Sequence, residues 1–235
     1  MNPKKSVIKS PVYALIIAPH PDDAEFGIAG TVARWTKEGK QVVYVSCTSG
    51  DKGTSDPNIK PAELAKIREK EQRAAAKVLG VKEVVFLRFP DQELNDTPEF
   101  RKEIVRMIRL YRPELVAATD PYRRYVWHRD HRITGQVVLD AVFPYARDVH
   151  AYPDLYEQGY LPHKVKELLL WGSPDVNCYL DISDTFDIKI AALSCHKSQF
   201  NIEEMKKRMQ ERYRTLAANT GFRYAEAFHR EEIGR

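Results

Sequence analysis

Two short segments of this chain concentrate the side chains that bind metal ions and carry protons. They are residues 18–25, Ala-Pro-His-Pro-Asp-Asp-Ala-Glu, and residues 127–131, Trp-His-Arg-Asp-His. Their histidines and aspartates are His20, Asp22, Asp23, His128, Asp130 and His131. Imidazole and carboxylate groups bind zinc and also act as general acids and bases, so the two segments together predict a catalytic metal site.

The spacing assigns a role to each residue. Asp23 lies three positions after His20, close enough for both to bind one ion, and His131 can complete a His-Asp-His set that leaves a position for water. Asp22 cannot easily point the same way as Asp23, so it can lie beside that water as the general base. His128 is the natural second proton carrier.

A carboxylate partner for His128 is also present. Asp130, two residues further along the chain, can fix the tautomer of His128 and favour its imidazolium form.

Both segments follow apolar runs typical of buried strands. Residues 12–17 read as a strand that Pro19 and Pro21 stop, and Asp22 or Asp23 can cap a helix that begins near Ala24. Residues 114–118 form a similar strand just before the second segment. In open α/β sheets, ligands bind outside the carboxyl ends of strands, which is where these side chains are expected.

Strand and helix patterns alternate through much of the chain. Further strands are expected at residues 41–46, 83–87, 166–171 and 177–181, and helices at residues 28–38, 61–79, 97–111, 184–196 and 203–219. Residues 144–162 are expected to be a long connection. The pattern predicts an α/β fold in one domain spanning residues 1–235, with a mostly parallel, Rossmann-like sheet and helices on both faces.

Composition excludes several classes of protein. The formal net charge of +4 is too small for a nucleic-acid-binding surface. No run approaches the roughly 20 apolar residues of a membrane span, and the N-terminal apolar run ends in His-Pro-Asp-Asp, unlike a signal peptide. Three scattered cysteines indicate free thiols. The expectation is a cytoplasmic protein without a membrane or nucleic-acid partner.

The two histidine segments and the distance between them resemble the zinc-dependent N-deacetylases of the PIG-L or LmbE-like family. The resemblance runs from the first strand to residues 221–226, Gly-Phe-Arg-Tyr-Ala-Glu. It implies one Zn²⁺ per chain held by His20, Asp23 and His131. It implies Asp22 as the base and His128 as the group that serves the departing amine or the oxyanion. The implied reaction removes the N-acetyl group from an N-acetylglucosamine-type sugar.

The resemblance also implies substrate contacts and assembly. Arg68 and Asp91 match positions that bind sugar hydroxyls, and His196 lies in a family helix motif, either as a structural residue or at a subunit contact. A homo-oligomer, trimer or hexamer, is implied as well. Val126 stands where some members carry a tyrosine that polarises the carbonyl, so Tyr125 or Trp127 is left as a substitute.

Other functions fit the sequence less well. The glycines at positions 27 and 30 lack the third glycine of a dinucleotide fingerprint. Residues 122–129 interleave basic and aromatic side chains, but the His and Asp residues among them favour a sugar-cleft wall over a nucleic-acid surface. A metal-dependent phosphoesterase is the stronger alternative, although it usually uses two metals and more carboxylates. A non-catalytic binding module would have no need of Asp22.

Overall fold

A seven-stranded sheet forms the centre of this computed structural model, which describes residue 7 and residues 9–125 and 128–233. The strands are β1 (Ala14–Ala18), β2 (Val42–Thr48), β3 (Glu83–Phe89), β4 (Leu115–Thr119), β5 (Glu167–Trp171), β6 (Cys178–Asp181) and β7 (Ala225–Glu232). Their order is β3-β2-β1-β4-β5-β7-β6, and β7 runs antiparallel to both of its neighbours while the pairs from β3 to β5 are parallel. The predicted mostly parallel α/β fold is confirmed.

Helices cover both faces of this sheet. They are α1 (Asp23–Lys37), α2 (Pro61–Leu79), α3 (Pro98–Tyr111), α4 (Arg129–Asp140), α5 (Pro153–Glu157), α6 (Phe186–Leu193) and α7 (Ile202–Leu216). Side chains alternate along β1, so Leu15 and Ile17 join a core with α3 and α4, and Ile16 joins a second core with α1. Among the described helices, none combines the length and the apolar character needed to span a bilayer.

Local signals place the ends of α2 and α3 where the sequence predicts them. Pro61 opens α2, and Gly80 ends it in the left-handed conformation, with φ of 72°. At the start of α3, the Thr97 hydroxyl accepts a hydrogen bond from the Phe100 amide, at 3.2 Å.

Three elements were not expected. The short helix α5 lies inside the predicted connection at residues 144–162, α4 begins directly after His128, and β7 fills the place between β5 and β6. The second half of β7, from Arg230 to Glu232, is charged and exposed. Its strand character therefore depends on partner strands far away in the sequence, which local periodicity does not record.

The strand order explains where a site can form. The chain moves outward from β1 to β2 and β3, and then returns to place β4 on the other side of β1. Loops leaving the carboxyl ends of β1 and β4 therefore diverge, and a crevice opens between them. The two histidine segments follow these two strands.

Candidate metal centre and active site

The turn between β1 and α1 separates the side chains of two adjacent aspartates. Asp22 adopts the left-handed conformation, with φ of 90°, which is uncommon outside glycine. Its amide donates to Gln72 Oε1 at 2.9 Å, and its carboxylate accepts from Arg68 Nη2 at 3.1 Å instead of capping α1. Asp23, by contrast, faces His20 and His131, so the two carboxylates serve different neighbours.

His20 lies at the centre of a group of carboxylates and is only 6% exposed. Its Nδ1 is 3.0 Å from Asp23 Oδ2, and its Nε2 is 3.1 Å from Asp130 Oδ2 and 3.1 Å from Asp91 Oδ1. Burial alone would lower the pKa of His20, but contacts with Asp130, Asp23 and Asp91 outweigh it and raise the pKa well above its usual range. The cluster of carboxylates favours a positive charge at this point.

The histidines of the second segment complete the group. His131 Nε2 lies 3.3 Å from Asp23 Oδ1. The ring of His128 lies 4.5 Å from that of His20 and 5.0 Å from that of His131, measured between centroids. Burial, together with repulsion from His20 and His131, lowers the pKa of His128. The sequence prediction that these side chains converge agrees with this geometry.

Imidazole and carboxylate groups form a donor set of the type that binds zinc. Tetrahedral zinc with bonds of about 2.0 Å places neighbouring ligand atoms about 3.3 Å apart. Asp23 Oδ2 lies 3.0 Å from His20 Nδ1, and Asp23 Oδ1 lies 3.3 Å from His131 Nε2, so each histidine is near that separation from a different oxygen of the carboxylate. His20, His128 and His131 also present ligand atoms within 4.8 Å of one another, so His128 is a second candidate for the third ligand.

Asp130 contacts a different histidine from the expected one. It is fully buried, and its carboxylate accepts from the amides of Gln92 and Leu94, at 2.7 and 3.2 Å, as well as contacting His20 Nε2. A histidine that binds a metal through one nitrogen usually donates its other N–H to a carboxylate, and Asp130 is placed to accept from His20 in this way. The sequence had assigned Asp130 to His128.

Asp22 has the environment of a proton-transfer group. Burial and repulsion from Asp23 raise its pKa to about 7, against the opposing attraction of Arg68. By contrast, His131 and His20 overcome the effect of burial on Asp23 and lower its pKa to about 2. The two adjacent carboxylates therefore differ in pKa, which suits a base beside a metal ligand.

The two expected sugar-binding residues are buried beside the metal centre and not in an open pocket. Arg68 donates through Nη1 to the Gly50 carbonyl at 2.9 Å and through Nη2 to the Pro21 carbonyl at 2.7 Å, in addition to its bond with Asp22. Asp91 accepts a hydrogen bond from the Lys52 amide at 2.9 Å. Its Oδ1 lies near His20 but forms no hydrogen bond within the described region.

A buried chain of side chains behind Asp22 was missed at the sequence level. Gln72, which holds the Asp22 amide, donates through Nε2 to Glu25 Oε1 at 2.8 Å, and Glu25 Oε2 lies 3.4 Å from His196 Nε2. His196 is therefore an interior residue that contacts Glu25. One signal was available for Gln72: it lies four residues after Arg68, on the same face of α2.

A buried ion pair supports α1 one to two turns after Asp23. Lys189 Nζ donates to Glu226 at 2.6 Å and to the main-chain carbonyls of Glu25 and Phe26 at 2.8 and 2.9 Å. The Glu226 carboxylate also accepts from two amides in α1, those of Gly30 and Thr31, at 2.9 and 2.8 Å. Glu226 belongs to the C-terminal segment that resembles the family pattern, but no local sequence pattern predicts Lys189 as its partner.

Tyr125 and Trp127 are the two residues that the sequence offers as substitutes for the family tyrosine. Tyr125 is 82% exposed, whereas Trp127, like Val126, lies outside the described residues.

A family model matches much of the chain. The model for PIG-L, GlcNAc-PI de-N-acetylase, matches residues 15–142, which contain both histidine segments. The chain belongs to the PIG-L family. The resemblance expected from the sequence is confirmed, and with it the prediction of an enzyme of the N-deacetylase class.

Individual PIG-L relatives cover most of the chain. A diacetylchitobiose deacetylase of Thermococcus kodakarensis is 38% identical over 90% of this chain and 80% of its own length. A probable N-acetyl-alpha-D-glucosaminyl L-malate deacetylase 2 of Bacillus anthracis is 29% identical over 87% of this chain and 89% of its own. The solved N,N'-diacetylchitobiose deacetylase of Pyrococcus horikoshii superimposes with a TM-score of 0.89 at 32% identity, covering 94% of this chain and 84% of that one.

Proposed function

We propose that this protein is a zinc-dependent hydrolase that removes the N-acetyl group from an N-acetylglucosamine-type amino sugar or its conjugate. The observation that carries the proposal is the contact of Asp23 with both His20 and His131, at 3.0 and 3.3 Å, in the crevice between β1 and β4. Membership in a de-N-acetylase family and relatives named for acetylated amino sugars support this substrate class.

In this proposal His20, Asp23 and His131 hold one Zn²⁺ per chain. When bound, zinc supplies Lewis acidity for the acetyl carbonyl and lowers the pKa of water. Asp22, whose carboxylate is held by Arg68, accepts the proton of the attacking water.

His128 donates a proton to the departing amine nitrogen. It is the most exposed of the three histidines, so it can reach a bound sugar. Asp130 acts through His20, whose ring it orients. Arg68 and Asp91 are candidate contacts of sugar hydroxyls in this proposal.

Release of acetate tests the proposal. The zinc-loaded protein is incubated with N-acetylglucosamine, its dimer and its glycosides, and acetate is measured together with phosphate from a parallel set of phosphoesters. The expected result is that the parent protein releases acetate from at least one sugar and that Asp22→Asn does not. Phosphate release without acetate would instead establish the metal-dependent phosphoesterase, which none of the comparisons described above supports.

The proposal also includes assembly. A trimer or hexamer is expected from the family resemblance, and analytical ultracentrifugation of the zinc-loaded protein measures it directly.

A further inference from the structure

A cavity of about 160 Å³ opens beside the metal centre. Asp23 and His131 form one side of it, Arg123 and Arg212 line it as well, and Trp171 and Tyr213 contribute aromatic walls. Whole ligand sites usually measure about 300–1,000 Å³, so this volume suits one substituent of a substrate whose reacting group lies at the metal centre.

The two arginines bring positive charge without a counter-ion. Within the part of the chain that the structure describes, neither Arg123 nor Arg212 forms an ion pair with a carboxylate; Arg212 only approaches the ring of Tyr213, at 5.9 Å. Asp23 is the acidic residue of the cavity wall, and it is already held by His20 and His131. The cavity therefore presents two guanidinium groups to any occupant.

Two glycines, Gly27 and Gly172, lie in the walls of the cavity. A side chain at Gly27 would meet the Trp171 indole at 2.6 Å, so glycine lets the indole pack flat against α1. Gly172, with φ of 73°, follows at the end of β5, and a Cβ there would lie 3.4 Å from Arg123 Nη1. Arg123 therefore passes close to the main chain at the end of β5, at the edge of the cavity.

We propose that this cavity is an oxyanion subsite, which binds a carboxylate or phosphate group carried by the acetylated amino sugar. This inference rests on the proposed deacetylase function and narrows its substrate class to anionic conjugates. Guanidinium groups bind carboxylate and phosphate through paired, charge-assisted hydrogen bonds, and the aromatic walls accommodate the carbon atoms of the substituent.

Binding of reaction products tests the subsite without requiring turnover. The zinc-loaded protein is titrated calorimetrically with methyl glucosaminide, which lacks an acidic group and is the neutral reference in that sense, with glucosamine 1-phosphate and 6-phosphate, and with glucosaminyl malate. At least one anionic sugar is expected to bind about tenfold or more tightly than the neutral glycoside, as charge-assisted hydrogen bonds predict. The phosphates and the malate conjugate show which oxyanion is preferred.

Substitutions of single arginines test whether Arg123 and Arg212 cause the preference for anionic sugars. Arg123→Gln and Arg212→Gln should each reduce the preference for the anionic sugar over the neutral one, whereas Arg208→Gln, one turn earlier on α7 and outside the cavity lining, should preserve it. Because both arginines are exposed, the preference should also weaken as salt rises from about 0.01 to 0.5 M.

Equal affinity for neutral and anionic sugars in the parent protein, or a preference that survives both substitutions, overturns the subsite. Acetate assays on the acetylated forms of the same sugars are run in parallel. Acetate release without a binding preference for anionic sugars rejects the subsite alone. If no sugar releases acetate, the proposed deacetylase function is rejected, and the binding data still decide whether the subsite exists.

Discussion

At the scale of single residues, the site depends on two adjacent aspartates with separate partners. Asp23 contacts His20 and His131, whereas the left-handed backbone at Asp22 turns its carboxylate toward Arg68. A strained conformation of this kind persists only when its surroundings hold it, and Gln72 and Arg68 both do so.

Metal content should separate the ligands from the proton carriers. His20→Ala, Asp23→Ala and His131→Ala should each lose bound zinc, because each removes one of the three proposed protein ligands. Asp22→Asn and His128→Ala should retain zinc but lower kcat by about 10²–10⁴-fold, the usual contribution of a general acid or base. Elemental analysis of the purified variants, followed by steady-state kinetics on an active sugar, measures both effects.

One outcome with the same variants would contradict the assigned ligand set. Zinc lost from His128→Ala but kept in Asp23→Ala would make His20, His128 and His131 the ligand set, which their mutual distances also allow.

Arg68→Ala should distinguish a positioning arginine from a substrate contact. The guanidinium holds Asp22 and two main-chain carbonyls, so its removal should lower kcat more than it raises KM. Arg68→Lys, which keeps the charge but not the paired geometry, should be intermediate. A raised KM with unchanged kcat would instead assign Arg68 to the sugar hydroxyls.

At the scale of elements, α1 is the helix that carries Asp23, and distant parts of the chain support it. Lys189 from α6 and Glu226 from β7 form an ion pair that also binds main-chain groups of α1. Attraction to Glu226 outweighs burial and raises the pKa of Lys189, so the pair stays charged in the interior.

Single substitutions of Lys189 or Glu226 should destabilise the protein more than the double substitution does. Lys189→Met leaves a buried carboxylate without its cation and should reduce the free energy of unfolding by about 3–5 kcal/mol. Adding Glu226→Gln removes the uncompensated charge while keeping an acceptor for the α1 amides, so the double variant should regain part of the loss. Urea denaturation of the parent and the three variants measures this; additive losses would show that the two side chains act independently.

At the scale of the whole molecule, the strand order brings the segments that follow β1, β3 and β4 to one crevice. Three carboxylates, those of Asp23, Asp91 and Asp130, contact His20 from the loops after β1 and β3 and from the start of α4. A bound cation relieves their mutual repulsion, and it binds the folded chain in preference to the unfolded one, in which the ligands are dispersed.

Removal of metal should therefore lower thermal stability. A ligand present at 100 times its Kd stabilises a folded protein by about 2.7 kcal/mol, so chelation should lower Tm by several degrees and added zinc should restore it. Calorimetry with and without chelator measures the shift. His131→Ala, which lacks a proposed ligand, is the matched control and should show little response to either treatment; a Tm insensitive to chelation in the parent would argue against a tightly held metal.

The sequence by itself determined the chemistry and much of the framework. Apolar runs, Pro19 and Pro21, and Gly80 are local signals, so they indicated where β1 ends and where α2 stops. Histidine and aspartate at the ends of two such strands were enough to predict convergence, because carboxyl ends of neighbouring parallel strands meet at one edge.

Only the tertiary structure decided which of these groups touch each other. Asp130 contacts His20 across 110 residues, and Lys189 reaches the main chain of Glu25 across 164. The partners in such contacts are chosen by strand order, by register and by the direction of each side chain. Those quantities are set by the packing of the whole sheet, including the inserted strand β7, and no local pattern of residues encodes them.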